Sequence, residues 1–250
     1  MSSGPGPLGL EVPPVAAGAS ARPRRSRRGW WLLLTAVLIA GAAVPASFVL
    51  RQTVFAPTFQ VESIRSTRAY QDPALLARAW SLPAAQHLRH GFTYQTNGSK
   101  CGPASLANVF RSLGEDVDED AVLKGTGLCW TGICFDGLTL DQLAEVARHD
   151  GKRKVSVLRG LGYDAFKNEL RRANDSRRRY IVNLDRGPLF GKGGGHHSPI
   201  GGYLEQEDLV FVLDVNRQYK PWLVDAHRLY ESMSGVDSTR GATRGLLLIE

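Results

Sequence analysis

A lone cysteine, Cys101, stands before an amphipathic run in the stretch YQTNGSKCGPASLANVFRSLG, residues 94–114. Gly102 permits close backbone approach, and Pro103 suits the first turn of a helix. A thiol at a helix N-terminus ionises more easily than a free thiol, and the amides beside it can bind an oxyanion. Gln95, upstream in the same stretch, could supply a second oxyanion donor. Taken alone, however, a single cysteine before a helix is more often a structural thiol than a nucleophile.

A nucleophilic cysteine needs a base, and the stretch GKGGGHHSPIGGY, residues 191–203, contains the candidates His196 and His197. Farther along, Asp214 is flanked by Leu213 and Val215, and a carboxylate in an apolar strand is costly without a partner. A hairpin turn at EQED, residues 205–208, would bring His196 and Asp214 together. Cysteine, histidine and carboxylate in that order resemble the papain type of catalytic triad.

Simpler interpretations of the same residues stay open. A histidine pair after glycines could bind a metal ion, or either histidine could merely end a strand. Asp214 could pair with Arg217 instead of with a histidine.

The elements that must position these residues are helices first and strands later. Helices are predicted after Asp72, after Cys101, at TLDQLAEVARHDG with a Thr139–Gln142 capping box, and at YDAFKNELRRA. Strands are predicted at RYIVNL, SPIGGYL, DLVFVLDV and the terminal GLLLIE. This order predicts an α+β domain with an antiparallel sheet, preceded by one transmembrane helix.

The N-terminal part predicts a membrane segment. Residues 1–29 are rich in Pro, Gly and Ala and end in a basic run, which indicates a disordered tail. Residues 30–50 are uncharged and long enough to span a bilayer. Because the arginines precede this segment, the positive-inside rule places the body of the chain outside the cytoplasm, in a bacterial periplasm. A cleaved signal peptide is one alternative to an anchor, since small residues occur at Val44 to Ala46, and a buried helix of a soluble protein is the other. Residues 51–90 are predicted as a connector with some helix, and residues 91–250 as the catalytic domain.

Charge and cysteine content argue against a nucleic-acid-binding protein and against a small protein held together by disulfides. The formal net charge is +7, but five arginines lie between Arg22 and Arg28, so the body is only mildly basic. We expect no nucleic-acid partner. Three cysteines are too few for a disulfide scaffold; Cys129 and Cys134 either form a disulfide or stay as two thiols.

Three segments carry a resemblance to a known family: QTNGSKCGPASLANVFRSLG, GHHSPIGGYLEQEDLVFVLDVNR and TRGLLLIE. Over roughly residues 90–250 they resemble phytochelatin synthase, the glutathione γ-glutamylcysteinyltransferase, in its short bacterial form without the Cys-rich C-terminal domain. The resemblance implies a papain-like fold that cleaves the Cys–Gly bond of glutathione through a thioester. Glycine is released, and water or a second glutathione takes the acyl group, in the latter case forming phytochelatin.

The resemblance also implies roles for individual residues. It makes Cys101, His196 and Asp214 the catalytic triad and Gln95 the oxyanion donor, while His197 occupies a position that is commonly aromatic. The implied substrate-binding residues are Asn183, Arg186, Gly195, Asp237 and Arg244. No metal site is implied and no cofactor is required; activation by Cd²⁺ or Zn²⁺ as metal–glutathione complexes is an accompanying expectation. A homodimer is left open, and Asn216 and Gln218 depart from the family pattern near the second-substrate site.

Two other functions remain as alternatives. Bacteriocin-leader peptidases share a glutamine upstream of a Cys-Gly-Pro-Ala start, and they cut peptides after a glycine pair. A membrane-tethered thiol or metal-binding module would use the three cysteines with the histidine pair as ligands.

Overall fold

The structure is a computed structural model that describes residues 27–53, 69–129, 132–149, 152–237 and 241–250. The predicted tail up to residue 26, and the part of the predicted connector from 54 to 68, lie outside the described residues. The chain divides into two compact units, Met1–Val44 and Pro45–Glu250.

The predicted apolar segment is helical. Helix α1 spans Arg27–Thr53, and within it Gly29–Ser47 is long and apolar enough to cross a membrane. Large apolar side chains along this part, such as Trp31 and Leu38, are exposed. A signal sequence has the same length and composition, so membrane crossing stays a prediction.

Seven further helices are described in the second unit. They are α2 (Pro73–Trp80), α3 (Pro83–Arg89), α4 (Cys101–Ser112), α5 (Leu140–Arg148), α6 (Tyr163–Arg172), α7 (Arg186–Phe190) and α8 (Ala226–Ser234). Two begin as their capping residues predict. Asp72 accepts hydrogen bonds from the first amides of α2, and the capping box of Thr139 and Gln142 starts α5.

Six described strands form one sheet in the order β1-β6-β2-β3-β4-β5, in which every neighbouring pair is antiparallel. The strands are β1 (Val155–Arg159), β2 (Arg179–Asp185), β3 (Gly195–Leu204), β4 (Leu209–Val212), β5 (Trp222–Asp225) and β6 (Gly245–Ile249). The predicted α+β class with an antiparallel sheet is confirmed.

Alternation along the strands divides the core between the two faces of the sheet. In β2, Tyr180 and Val182 pack into one cluster with α6 and α8, whereas Ile181 packs into the other with α3, α4 and α5. Strand β3 lies at the centre and contacts helices from both layers. Helix α4, which begins at Cys101, is therefore held directly against the strand that carries the two histidines.

The two glycines of SPIGGY permit close packing and a β-bulge in β3. A Cβ on Gly201 would lie 2.6 Å from the Phe211 ring, and a Cβ on Gly202 would lie 2.6 Å from Leu82. Gly202 has φ +148° where the β3–β4 register shifts. Strand β4 ends at Val212, so Asp214 lies just beyond the strand in which it is predicted.

Helices α2 and α3 lie within the segment predicted as a connector with helix. Their residues Ala79, Ala85 and Leu88 are buried in the same cluster as α4 and α5. The limits of the predicted domains stay a prediction. Elements that the sequence patterns do not predict include β1, β5 and α8.

Candidate active site

Cys101 is the first residue of α4 and is 7% exposed. It packs with Ala104 and Val215. A hydrogen bond joins α4 to β3 near Cys101: Ser105 Oγ donates to the carbonyl oxygen of His197 at 3.0 Å. The free amides at the start of α4 and the positive end of its dipole therefore lie at the thiol.

His196, which interacts with the thiol, forms a buried pair with Asp214. His196 Nε2 lies 2.9 Å from Asp214 Oδ1, and Asp214 has no exposed surface. The carboxylate also accepts hydrogen bonds from the backbone amide of Asn216 at 2.8 Å and from Trp222 Nε1 at 3.1 Å. Arg186 Nη2 lies 3.4 Å from Oδ1. Four donors thus stabilise the charge that burial would otherwise make costly.

These contacts shift three pKa values in the directions that a cysteine nucleophile requires. Burial raises the pKa of Asp214, but the charges of His196 and Arg186 and the hydrogen bonds outweigh it and hold the pKa at about 2. Burial and Arg186 lower the pKa of His196, whereas Asp214 and Cys101 raise it, with a net rise. Burial raises the pKa of the Cys101 thiol, but hydrogen bonding to His196 and then to His197 holds it well below its usual value. The site favours a thiolate beside an imidazolium.

His197 makes a second set of contacts that the sequence patterns do not predict. Its Nδ1 lies 3.9 Å from Cys101 Sγ, and its Nε2 lies 2.7 Å from Asn183 Nδ2. Asn183 Oδ1 accepts from Arg244 Nη1 at 3.1 Å, and Arg244 pairs with Asp237 at 3.5 Å. The doubled histidine in GHHSPIGGY is the only sequence signal that could have indicated this arrangement.

Gln95 is held in a loop close to the segment that follows Asp214. Its backbone amide donates to the Val215 carbonyl at 2.8 Å, and its Nε2 donates to the Asn97 carbonyl at 2.8 Å. Among the described residues its buried Oε1 has no hydrogen-bond partner. The role of Gln95 as oxyanion donor stays a prediction.

A disulfide-bonded segment and ion pairs contact the loop of residues 95–100 at its C-terminal end. Cys129 and Cys134 form a disulfide, and the Cys134 amide donates to Ser99 Oγ at 3.1 Å. Lys100, directly before Cys101, is buried and pairs with Asp120 at 2.7 Å. The disulfide alternative that the sequence left open is therefore the one that the structure contains.

The predicted substrate-binding residues surround the two histidines. Arg186 lies over the Tyr219 ring at 4.5 Å, and the Arg244 guanidinium lies so close to Gly195 that a Cβ there would be 2.6 Å from Nη1. Asn183 and Asp237 both contact Arg244. The structure brings all five together, while their contacts with a substrate stay a prediction.

The simpler interpretations can be compared with this geometry. The charged groups that contact Asp214 are His196 and Arg186, whereas the Arg217 guanidinium lies 5.4 Å from the centre of the Tyr94 ring. Over the part of the chain that the structure describes, no group of three or more His, Cys, Asp or Glu residues is placed to hold a metal ion.

Comparison with solved structures finds partial similarity to C39 peptidases. The peptidase domain of Streptococcus ComA, a bifunctional ABC transporter, is 18% identical with a TM-score of 0.43, covering 62% of this chain and 93% of that one. A C39-like peptidase from Bacillus anthracis is 12% identical with a TM-score of 0.48, covering 65% and 95%.

Comparison of sequences gives the family. The chain is 32% identical over 175 residues to glutathione γ-glutamylcysteinyltransferase 1 of Arabidopsis thaliana, covering 63% of this chain and 35% of the relative. It is 28% identical over 170 residues to the Schizosaccharomyces pombe enzyme of that name, covering 62% and 41%. The match thus spans well under half of the length of these relatives. The phytochelatin synthase family model matches residues 61–246, and the chain belongs to that family.

Proposed function

We propose that this protein is a glutathione γ-glutamylcysteinyltransferase in which Cys101 attacks the carbonyl of the Cys–Gly bond. The observation that carries the proposal is the buried cysteine at the start of α4 beside His196, which is itself hydrogen-bonded to the buried Asp214. Family membership supplies the acyl donor, since the curated relatives carry this activity in their names.

In the first half-reaction the Cys101 thiolate forms a C–S bond to the carbonyl carbon. The negative charge moves to the carbonyl oxygen, where the free amides at the start of α4 and Gln95 Nε2 are the available donors. The His196 imidazolium then gives its proton to the amine of glycine as the C–N bond breaks. Glycine leaves, a γ-glutamylcysteinyl thioester remains on Cys101, and His196 is neutral.

In the second half-reaction the neutral His196 accepts a proton from the attacking group. Water gives γ-glutamylcysteine, and the amine of a second glutathione gives phytochelatin. In both cases the C–S bond breaks and the Cys101 thiolate returns. Asp214 stays ionised throughout, because its pKa of about 2 lies far below working pH, and it stabilises His196 whenever the ring is charged.

The γ-glutamyl end of glutathione carries one amine and one carboxylate, and the groups beside the histidines complement both. Arg186 and Arg244 are partly or fully buried cations, and among the described residues each has a buried Nε without a hydrogen-bond partner. Asp237 is the acidic group beside Arg244. We assign the substrate carboxylate to the arginines and the substrate amine to Asp237.

We further propose that α1 anchors the chain and that residues after it lie outside the cytoplasm. The disulfide Cys129–Cys134 fits this side, because disulfides persist in oxidising compartments. Protease treatment of intact and of permeabilised cells checks the orientation: digestion only after permeabilisation of the inner membrane would contradict it.

Incubating the full chain with glutathione and measuring glycine release tests the proposed function. Mass spectrometry of the quenched protein should find a γ-glutamylcysteinyl adduct on Cys101. Cys101→Ala should abolish both signals while its unfolding curve stays close to that of the original protein. A Cys101→Ala protein that still releases glycine would refute the proposal, as would selective cleavage of a double-glycine leader peptide with glutathione left intact.

A further inference from the structure

We propose that His197 is a second catalytic imidazole, held as the neutral Nδ1–H tautomer by Asn183 and Arg244, and that it donates this proton in a hydrogen bond to the Cys101 thiolate. This inference deepens the proposed function, because it concerns the same nucleophile. It assigns the two adjacent histidines different protonation states and different work.

The orientation of the Asn183 side-chain amide is the first step. Arg244 Nη1 lies 3.1 Å from Asn183 Oδ1, and a guanidinium can only donate hydrogen bonds. The oxygen of the amide must therefore face Arg244. The amide nitrogen faces His197 Nε2 at 2.7 Å as a consequence. The pairing of Arg244 with Asp237 at 3.5 Å holds the guanidinium in place.

The tautomer of His197 follows from that orientation. An amide NH₂ group donates, so His197 Nε2 must accept and carry no proton. A neutral imidazole with an unprotonated Nε2 has its hydrogen on Nδ1. This Nδ1 is the atom that lies 3.9 Å from Cys101 Sγ. The N–H therefore points to the sulfur.

Burial and strand register make this arrangement part of the fold. His197 and Asn183 are each 2% exposed and are directly paired across β2 and β3. Asn183 is also paired with Gly245 of β6, so that Arg244, the residue directly before Gly245, reaches the amide. Hydrogen bonds in active sites are often long without substrate and shorten when it binds.

The two imidazoles do different work at the sulfur. His196 faces the carboxylate of Asp214, which stabilises a positive ring that can release a proton to the leaving glycine. His197 Nε2 faces the NH₂ group of Asn183, which donates a hydrogen bond and cannot accept one. The ring therefore keeps its proton on Nδ1 through the cycle. It stabilises the thiolate before attack and after the acyl group leaves, without competing with His196 for the transferred proton.

Nitrogen NMR of the histidine rings tests the tautomer directly in the original protein. Long-range ¹H–¹⁵N spectra of the full chain at neutral pH should show His197 with a protonated Nδ1 and an unprotonated Nε2. His197→Phe identifies the signals. A ring protonated at Nε2, alone or together with Nδ1, would overturn the proposal.

The pH dependence of Cys101 alkylation by iodoacetamide tests the effect on the thiol. The groups facing Cys101 are the rings of His196 and His197, with Asp214, Arg186 and Arg244 behind them. His197→Phe keeps a ring of similar size but removes the donor. We expect it to raise the pKa of the thiol and to lower the alkylation rate about threefold at pH values below that pKa, since a pKa about one unit higher gives tenfold less thiolate that is about threefold more nucleophilic.

His227→Phe is the matched control, because it makes the same substitution at an exposed histidine on α8, whose ring contacts Tyr163. Its alkylation profile should match that of the original protein. An unchanged profile in His197→Phe would overturn the proposal. Neither measurement uses glutathione, so a protein that passes both but releases no glycine would refute the proposed function alone.

Discussion

The two histidines differ in the group that lies behind each of them. Behind His196 is a carboxylate, Asp214, which accepts a hydrogen bond and carries a charge. Behind His197 is an amide, Asn183, which donates one and carries none. In the proposed mechanism, these adjacent residues of one strand act as an acid–base group, His196, and as a fixed hydrogen-bond donor, His197. The partner, rather than the residue type, determines the protonation state.

Removing the charge behind His196 should have the largest effect. In Asp214→Asn the amide oxygen should stay at the Oδ1 position, where His196, Arg186 and the Asn216 amide all donate. The hydrogen bond to His196 would survive, but the negative charge and the hydrogen bond from Trp222 Nε1 would be lost. The remaining influences on the His196 pKa are burial and Arg186, and both lower it. We expect glycine release to fall by about 10²–10⁴-fold, the usual contribution of an acid–base group.

The pH profile of glycine release shows whether charge is the reason. In the original protein the rate should rise with pH through the lowered pKa of Cys101 and fall with pH through the raised pKa of His196. In Asp214→Asn the falling limb should move to lower pH. Asp141→Asn, an exposed carboxylate paired with Arg159, is the control and should leave both limbs in place. If the falling limb stayed in place in Asp214→Asn, this limb would not report the ionisation of His196.

The opposite substitution, of the amide behind His197 by a carboxylate, should have a smaller effect and should act by lowering the pKa of the thiol. In Asn183→Asp one oxygen can still accept from Arg244, while the other requires a proton on His197 Nε2. With a carboxylate on one side and a thiolate on the other, His197 should become an imidazolium. The thiol pKa should then fall further, and a thiolate with a pKa one unit lower is about threefold less nucleophilic.

Alkylation kinetics distinguish this outcome from simple damage to the site. Asn183→Asp should alkylate about threefold faster than the original protein at pH values below the thiol pKa, because about tenfold more thiolate is offset by its roughly threefold lower nucleophilicity. Asn183→Ala removes the group that selects the tautomer and should alkylate more slowly under the same conditions. If both variants change alkylation in the same direction, Asn183 does not act through the protonation of His197.

The His196 side could be predicted from the sequence and the His197 side could not. Asp214 is conspicuous because a carboxylate between Leu213 and Val215 needs a partner, and the hairpin at residues 205–208 brings it to His196 by a local connection. Asn183 is an unremarkable amide in an apolar strand. Its role depends on the register of β2 with β3 and with β6, which joins segments far apart in the chain.

Elements that depend on nearby residues can be predicted from the sequence, whereas elements that depend on a distant partner cannot. Helix α5 has its capping box within four residues, and the β3–β4 hairpin has its turn between the strands, so local sequence determines both. Strand β1 pairs with β6 at the end of the chain, and only that partner makes it a strand. Local propensity carries little information about pairings of this kind.

The disulfide provides the smallest expected effect on catalysis, because it contacts neither histidine. Its loop contacts the 95–100 segment through backbone atoms: the Cys134 amide donates to Ser99 Oγ, and Asn97 Nδ2 donates to the Gly132 carbonyl at 3.2 Å. Replacing both Cys129 and Cys134 by Ala keeps these donors and acceptors. Closing so short a loop stabilises the fold by about 2 kcal/mol through the unfolded chain, and urea denaturation should show a loss of that size. The alkylation profile of Cys101 should be unchanged. A shifted thiol pKa in this double variant would mean that the loop before α4, in addition to the two histidines, sets the ionisation of Cys101.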